Sequence, residues 1–242
     1  MTGQPGTLGR ACSLADRGEY ASSWRLLDAD PQVSATFAAV LKASMLRQLG
    51  LHSAAAALDV IAWQAAAAEQ ESAWAALGLS ADWVGRGDWQ RAGFWLRKAE
   101  AGSGSVGVRH RDWWDMASAH AWVSAEVALL EGRPADAVGV LARVPNPSPA
   151  RLRQDHHRAK TALFLAASFL TLGDKARARP LVDQCLALAQ PAGLQPLCWP
   201  AHRLAVDIDP TRATWHKNRG ERALDAIAAS LPEMAAPLWR RP

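Results

Sequence analysis

The strongest concentration of metal-binding residue types is Asp155-His156-His157. Carboxylate and imidazole groups are common zinc ligands, but adjacent residues of a helix point about 100° apart. Two neighbouring histidines therefore need further ligands from other helices to form a site. The remaining candidates that a fold could bring near are His52, His110 and His120. We interpret the cluster as a solvated helix start and predict no metal site.

The sequence carries no other constellation typical of catalysis. There is no nucleophile motif, and no paired carboxylates stand at helical spacing with an evident partner. Gly102-Ser103-Gly104 resembles a phosphate-binding loop in composition alone, because no strand precedes it and no Gly-Lys-Ser/Thr follows it. We therefore predict a protein that is not an enzyme and has no cofactor.

The cysteines and the chain start bear on the compartment. Cys12, Cys185 and Cys198 are odd in number and lack a C-x-x-C spacing, so we predict small, reduced core residues. No apolar run reaches the roughly 18 residues of a membrane span, and the first residues lack the layout of a secretory signal. A cytoplasmic protein without a membrane partner is expected.

A repeat organises the chain into helices. Five glycines recur, each followed five residues later by a small residue and preceded by an apolar helical face: Gly18, Gly50, Gly87, Gly132 and Gly173. Their small residues are Ser23, Ala55, Ala92, Ala137 and Ala178. A glycine permits the left-handed backbone that ends a helix, and a small side chain permits close helix approach. Alanine is abundant and no stretch alternates as a strand would, so the pattern predicts about a dozen paired helices.

Turn signals suggest where helices begin and where the chain loops out. Asp30-Pro31, Ser148-Pro149 and Asp209-Pro210 each place a capping residue before a proline, which predicts a helix start. The Gly/Ser-rich residues 101–109 predict an extended loop between pairs. We expect one helical repeat domain over residues 1–242, closed by degenerate capping helices in residues 210–242.

The repeat resembles the tetratricopeptide repeat in its longer bacterial form. The segments Gly173-Asp174-Lys175-Ala176-Arg177-Ala178-Arg179-Pro180-Leu181 and Ala228-Ala229-Ser230-Leu231-Pro232-Glu233-Met234 are similar to the helical repeat regions of bacterial transcription regulators and signalling ATPases. The resemblance implies an all-α fold, an α-α superhelix of about five to six TPR-like helix pairs. It also implies a scaffold that binds a protein or peptide. The alternative is a regulatory sensor in bacterial transcription control that binds nucleic acid or a small effector.

In such a stack the first helices of successive pairs line a concave groove. Counting back from each glycine predicts these groove residues: Arg47, Trp74, Asp115, Trp122, Glu126, His156 and Lys160. Aromatic side chains would anchor a peptide and the charges would fix its register. A register error of one residue would instead pack Trp74 and Trp122 between helices, so both readings stay open.

Twelve tryptophans accompany a single tyrosine. Trp83 and Trp89 occupy repeat positions that usually take a packed aromatic, and Trp63 and Trp95 fall within second helices, so we predict that all four are core residues. Trp113 and Trp114 are adjacent, so they cannot both face one core. A further tryptophan near the chain end, Trp239, either folds back or meets a partner.

Charge and the apolar chain end allow two further kinds of partner. The chain has 27 basic and 23 acidic residues, so its net charge is only +4. Three basic groups stand out: Arg91, Arg97 and Lys98; Arg151, Arg153, Arg158 and Lys160; and Arg212, Lys217, Arg219 and Arg222. We interpret them as solvated faces, with nucleic-acid contact as the minority alternative. Leu231, Met234, Leu238 and Trp239 make a homodimer possible if the last helices lack a polar cap.

Overall fold

A computed structural model describes residues 6–102, 115–144, 154–233 and 235–238. These residues form twelve α-helices and two short 3-10 turns, and the described ranges contain no β-strand. The predicted all-α fold class is confirmed. The predicted loop at residues 101–109 lies almost wholly outside the described ranges, as do Ser148-Pro149, His110, Trp113, Trp114, Met234 and Trp239.

The helices follow the predicted pairs. Before Gly87 they are α1 (Thr7–Arg17), α2 (Tyr20–Ala29), α3 (Ala35–Arg47), α4 (His52–Ala65) and α5 (Glu69–Gly85). After it come α6 (Trp89–Gly102), α7 (Met116–Leu130), α8 (Pro134–Leu141), α9 (Gln154–Thr171), α10 (Lys175–Ala189), α11 (Gln195–Ile208) and α12 (Ala213–Ala229). The 3-10 turns are Pro210–Arg212 and Ala236–Leu238.

The chain divides into two compact units. The first unit comprises residues 1–109 and 228–242, and the second unit comprises residues 110–227. Inside the first unit α1 packs on α2, α3 on α4 and α5 on α6, and α5 also packs on α3 and α4. Inside the second unit α7 packs on α8, α9 on α10 and α10 on α11, with α9 touching α7, α8 and α11. The single repeat domain over residues 1–242 stays a prediction.

Every predicted glycine ends a helix in the left-handed conformation. The φ angles of Gly18, Gly50, Gly87, Gly132 and Gly173 lie between 74° and 82°. At Gly132 the glycine N–H donates to the Leu129 carbonyl at 3.1 Å, and the Arg133 N–H donates to the Ala128 carbonyl at 2.8 Å. This pair of bonds satisfies the last carbonyls of a helix. A sixth such glycine, Gly193 with φ 69°, ends α10 and was not predicted.

The small residues after these glycines form the contact line between paired helices. Ser23, Ala55, Ala92, Ala137 and Ala178 are all fully buried. The Ser23 hydroxyl donates to the Ala11 carbonyl at 2.8 Å, which joins α2 to α1. In the third pair the donor comes from the first helix instead, since Ser80 donates to the Ala92 carbonyl at 2.8 Å. The sequence pattern therefore located both the helix ends and the close approaches.

Two of the proline-based helix starts can be checked. Asp209-Pro210 does open helical structure, because a 3-10 turn starts at Pro210 and leads into α12. Asp30-Pro31 does not: α3 starts four residues later at Ala35. The Asp30 carboxylate accepts from the Gln32 N–H at 2.9 Å, so this segment forms a local turn instead of a cap.

The end of the chain supplies a cap that the sequence did not reveal. The Ser230 hydroxyl accepts from the Tyr20 N–H at 3.2 Å and itself donates to the Gly18 carbonyl. The Ser230 carbonyl also accepts from the Ala21 N–H, at 2.6 Å. Free N–H groups at the start of α2 are therefore satisfied by a residue about 210 positions away in the chain.

The tryptophan predictions need correction. Trp89 is 45% exposed, so its assignment to the core is wrong. It is the first residue of α6, where no preceding helical turn can cover it. Trp83 is only half-buried, and the guanidinium groups of Arg86 and Arg91 lie 4.0 and 4.4 Å from its ring centre. Trp63 and Trp95 are half-buried and meet edge to face at 5.3 Å.

Candidate binding site

The predicted groove residues belong to both units. Arg47 and Trp74 lie in the first unit, and Asp115, Trp122, Glu126, His156 and Lys160 lie in the second. We describe each set within its own unit.

In the second unit Trp122 is held by the neighbouring first helix. Its ring is 8% exposed, and its indole N–H donates to the Thr161 hydroxyl at 3.0 Å. The His157 ring lies 5.2 Å away, centre to centre, and the Lys160 ammonium stands 4.7 Å from the indole centre. Thr161, His157 and Lys160 all lie on α9, so these contacts join α9 to α7 and orient the lysine through a cation–π interaction.

A hydrogen-bonded chain of three polar residues lies beside Trp122. The Ser118 hydroxyl donates to the Asp115 carboxylate at 2.8 Å, and His157 Nε2 lies 2.7 Å from the same hydroxyl oxygen. When the hydroxyl proton is directed to Asp115, His157 Nε2 is the donor in the second bond. Ser118 is fully buried and His157 is 8% exposed.

The order of this chain differs from that of a serine hydrolase. A serine hydrolase places histidine between carboxylate and serine, so that the imidazole can take the serine proton. Here the serine is in the middle, its proton faces Asp115, and the imidazole is a donor. The contacts of Ser118 with Asp115 and His157 join the start of α7 to α9.

The predicted charged residues of this set remain accessible. Asp115, Glu126, His156 and Lys160 are all half-buried, whereas Trp122 is buried. Sequence reasoning chose His156, but the structure places its neighbour His157 against Trp122. A helical residue and its neighbour point about 100° apart, and the counting from Gly173 had no means to decide between them.

In the first unit Arg47 forms ion pairs with two buried aspartates. Its Nε donates to Asp82 Oδ1 at 2.7 Å and its Nη2 donates to Asp59 Oδ2. Both carboxylates are fully buried, and the Arg47 side chain is 18% exposed. His52 Nδ1 lies 3.6 Å from Asp82 Oδ1. We name Arg47, Asp59 and Asp82 the buried ion cluster.

The buried ion cluster has one guanidinium for two carboxylates, which changes the acidity of Asp59. Burial raises the pKa of Asp59 well above its usual range, because the charged form loses its water. The Arg47 guanidinium lowers this pKa in part, and the nearby Asp82 carboxylate raises it again. The raised pKa favours the neutral form of Asp59 inside the protein.

Two glycines of α5 make room for this cluster. A Cβ on Gly78 would overlap the Asp59 carboxylate, and one on Gly85 would overlap the His52 ring. Asp59 also follows the buried Ala55 by four residues, so it occupies a core position of α4. That combination of an acidic residue at core spacing and glycines within a helix was the available sequence signal, and the sequence interpretation did not use it.

Trp74, the other predicted groove residue of the first unit, lies in the core with 8% of its surface exposed. Arg47 is likewise committed to two internal partners. Both tryptophans, Trp74 and Trp122, are therefore packed between helices and do not face an open groove. The binding role of the groove residues stays a prediction.

A third polar cluster, absent from the predictions, joins α11 to α12. His202 Nδ1 and His216 Nδ1 are 3.0 Å apart, and Gln190 Nε2 lies 3.2 Å from His202 Nε2. Burial, together with the positive charges that His216 and Arg219 can carry, lowers the pKa of His202 to about 4. Burial also lowers the pKa of His216. These rings therefore pack as neutral imidazoles at pH 7.

The three cysteines are buried, as predicted for core residues, and none of them forms a disulfide. Burial raises the pKa of Cys185 to about 12 and that of Cys198 to about 11, so both stay protonated.

The described ranges lack a metal-binding cluster and a membrane-spanning helix. Within them, no three His, Cys, Asp or Glu side chains are grouped so that they could hold a metal ion. No helix in the same ranges has the length and apolar character to cross a bilayer. In comparisons with known proteins, no family model and no curated protein matches this chain.

Proposed function

We propose that this protein is a non-catalytic scaffold of the tetratricopeptide-like class that binds a peptide segment of another protein. The binding surface would be the one formed by α7 and α9, the first helices of two successive pairs. The supporting observation is that these helices touch and carry four half-buried charged or polar residues around the buried Trp122: Asp115, Glu126, His156 and Lys160.

The physical basis is a set of side chains held in place by their neighbours, with charged groups around them. Trp122 is fixed by its bond to Thr161, and Lys160 is oriented by the indole beneath it. A side chain held in place loses less conformational entropy on binding than a free one. A carboxylate of an incoming peptide would pair with Lys160, and a basic group would pair with Glu126, which sets the register of the peptide.

The repeat geometry supports the comparison with tetratricopeptide-like proteins. The five glycines with positive φ and the buried small residues follow the pattern from which the resemblance was inferred. As part of the same proposal the protein works in the cytoplasm, which its three buried cysteines without a disulfide favour.

A peptide display selection tests this proposal. We expect the full chain to select a peptide family with a shared acidic position, and Lys160→Glu to weaken the selected peptide about tenfold through charge repulsion. The matched control is Lys217→Glu, an exposed residue of α12 in the same unit, which should leave affinity unchanged. Selection of no shared family, or equal binding by Lys160→Glu and the native chain, would exclude the α7–α9 surface.

A further inference from the structure

Exposed apolar side chains concentrate on two helices of the first unit. Among the described residues eight large hydrophobic side chains are exposed, and half of them belong to α4 and α6. They are Val60 at 39%, Ile61 at 56%, Trp89 at 45% and Phe94 at 46%. Large exposed apolar groups are typical of interaction sites where several of them lie on one face.

Part of this set forms one continuous surface. Phe94 meets Trp95 edge to face at 5.4 Å, and Trp95 meets Trp63 of α4 at 5.3 Å. Val60 precedes Trp63 by three residues, so the two lie on the same side of α4. We call Val60, Trp63, Phe94 and Trp95 the aromatic ridge. Ile61 and Trp89 point elsewhere on their helices and are not included.

The charge beside the ridge is mainly positive. The exposed charged residues of α6 are Arg91, Arg97, Lys98 and Glu100. Lys98 places its ammonium 5.7 Å from the Phe94 ring centre, and Arg91 reaches Asp88 at 3.4 Å. Helix α4 adds no exposed charge, because its one carboxylate, Asp59, is buried in the ion cluster.

This charge distribution favours one class of binding partner for the aromatic ridge over two others. A second copy of the chain docked ridge to ridge would bring Arg97 and Lys98 against the same cations of its partner, which is unfavourable. A nucleic acid would pair with the cations but would place its phosphates beside the apolar Val60 and Trp63. An amphipathic helix with acidic flanks satisfies both the apolar and the charged parts.

We propose that the aromatic ridge of α4 and α6 is a docking site for an acidic amphipathic helix of a partner protein. Apolar residues of that helix at three- and four-residue spacing would cover Val60, Trp63 and Phe94. Its flanking Asp or Glu side chains would face Lys98 and Arg97. The ridge uses second helices of the first unit, so it is independent of the α7–α9 surface.

The test is a display library of helical peptides with fixed apolar positions at i, i+3, i+4 and i+7 and flanking positions drawn from Glu, Lys and Gln. We expect Glu to be enriched at the flanks. The dissociation constant of the best peptide, measured by calorimetry, should rise about tenfold in Phe94→Ser and in Lys98→Glu and should rise with salt. Leu172→Ser and Lys217→Glu are matched controls, exposed in the second unit and expected to have no effect. Thermal unfolding would verify that every variant is folded.

Three results would overturn the docking site. One is enrichment of Lys or Gln at the flanks, and another is an affinity that neither ridge variant changes. The third is binding of anionic lipid vesicles or duplex DNA that depends on Phe94 and Lys98 while acidic peptides do not bind. Lys160→Glu should leave ridge binding intact, so failure of the α7–α9 proposal and failure of this one are distinguishable.

Discussion

The buried ion cluster of the first unit and the Ser118–Trp122 region of the second unit both join helices through buried polar side chains, but they do so with different chemistry. Both place polar groups between helices that are otherwise packed through alanine and leucine. The first unit uses a buried ion cluster, with one guanidinium for two carboxyl groups. The second uses Asp115, Ser118 and His157 in a hydrogen-bonded chain, and Trp122 with Thr161.

The two arrangements should lose different amounts of stability when a single residue is removed. Removing one member of a buried ion pair leaves a charge without compensation, whereas removing one member of a neutral pair leaves a single unsatisfied donor or acceptor. The first unit should therefore be more sensitive to single substitutions at its polar residues than the second.

The largest expected effect is that of Arg47→Met. This change leaves the buried Asp82 carboxylate without its cation and removes the Nη2 donor of Asp59. Loss of one partner from a buried ion pair costs about 3–5 kcal/mol of unfolding free energy. Urea denaturation followed by circular dichroism measures it. Arg10→Met, at an exposed arginine of α1 in the same unit, is the control and should change stability by less than about 0.5 kcal/mol. Equal effects of the two changes would contradict the importance of the ion cluster.

Thr161→Val should have the next largest effect. The isosteric change removes the acceptor of the Trp122 indole N–H, and an unsatisfied buried donor costs about 1–3 kcal/mol. Thr171→Val is the matched control. Both threonines donate to the carbonyl four residues earlier at 2.9 Å, but Thr171 is exposed. If both variants lost the same stability, the indole bond would not matter.

A smaller effect is expected from the repeat glycines. Gly132→Ala forces an alanine into a φ of 74°, which costs about 1–2 kcal/mol although no atom obstructs the new Cβ. Gly139→Ala adds the same methyl group inside α8, also into open space, and should stabilise by about 0.5–1 kcal/mol. Denaturation midpoints of the two variants should therefore move in opposite directions, and a shift in the same direction would argue against the helix-ending role of Gly132.

The smallest expected effect is the change of stability with pH. Asp59 of the first unit and His202 of the second should change stability in opposite directions as pH rises. The raised pKa of Asp59 means that the folded state holds a proton that the unfolded chain releases above its ordinary pKa of 3.8. Stability from this group is thus lost as pH rises above that value. The pKa of His202 falls from 6.5 to about 4, so its contribution is present above pH 6.5 and is lost as pH falls toward 4.

Unfolding measured between pH 4 and pH 8 checks both signs. Asp59→Asn should flatten the loss at rising pH, and His202→Gln should flatten the loss at falling pH. A native pH profile that either variant leaves unchanged would show that the corresponding residue does not control it.

Much of the fold was predictable because it depends on local rules. A glycine with positive φ and a small residue five positions later act within one helix–turn–helix, so Gly18 and Ser23 could be recognised by spacing alone. Core position was harder to predict. Trp89 was assigned to the core because its repeat position usually is, but exposure depends on which neighbours cover the first turn of α6.

The candidate site was predictable only in part for the same reason. Counting from the glycines selected Asp115, Trp122 and Lys160, and the structure gathers Trp122 and Lys160 with His157. It missed Asp59 and Asp82, since the core spacing of Asp59 and the glycines of α5 do not identify Arg47, on another helix, as their partner. It also missed the histidine pair, because His202 and His216 stand 14 residues apart.

The sequence by itself determined the all-helical class, the helix ends at five glycines and the close approach of paired helices, because each depends on backbone sterics over a few residues. Tertiary structure alone decided which polar groups became partners. Ser230 caps α2 across most of the chain, Arg47 meets two buried carboxylates, and Phe94, Trp95 and Trp63 join into one ridge. These contacts join residues on different helices, and only the packing of those helices brings them within bonding distance.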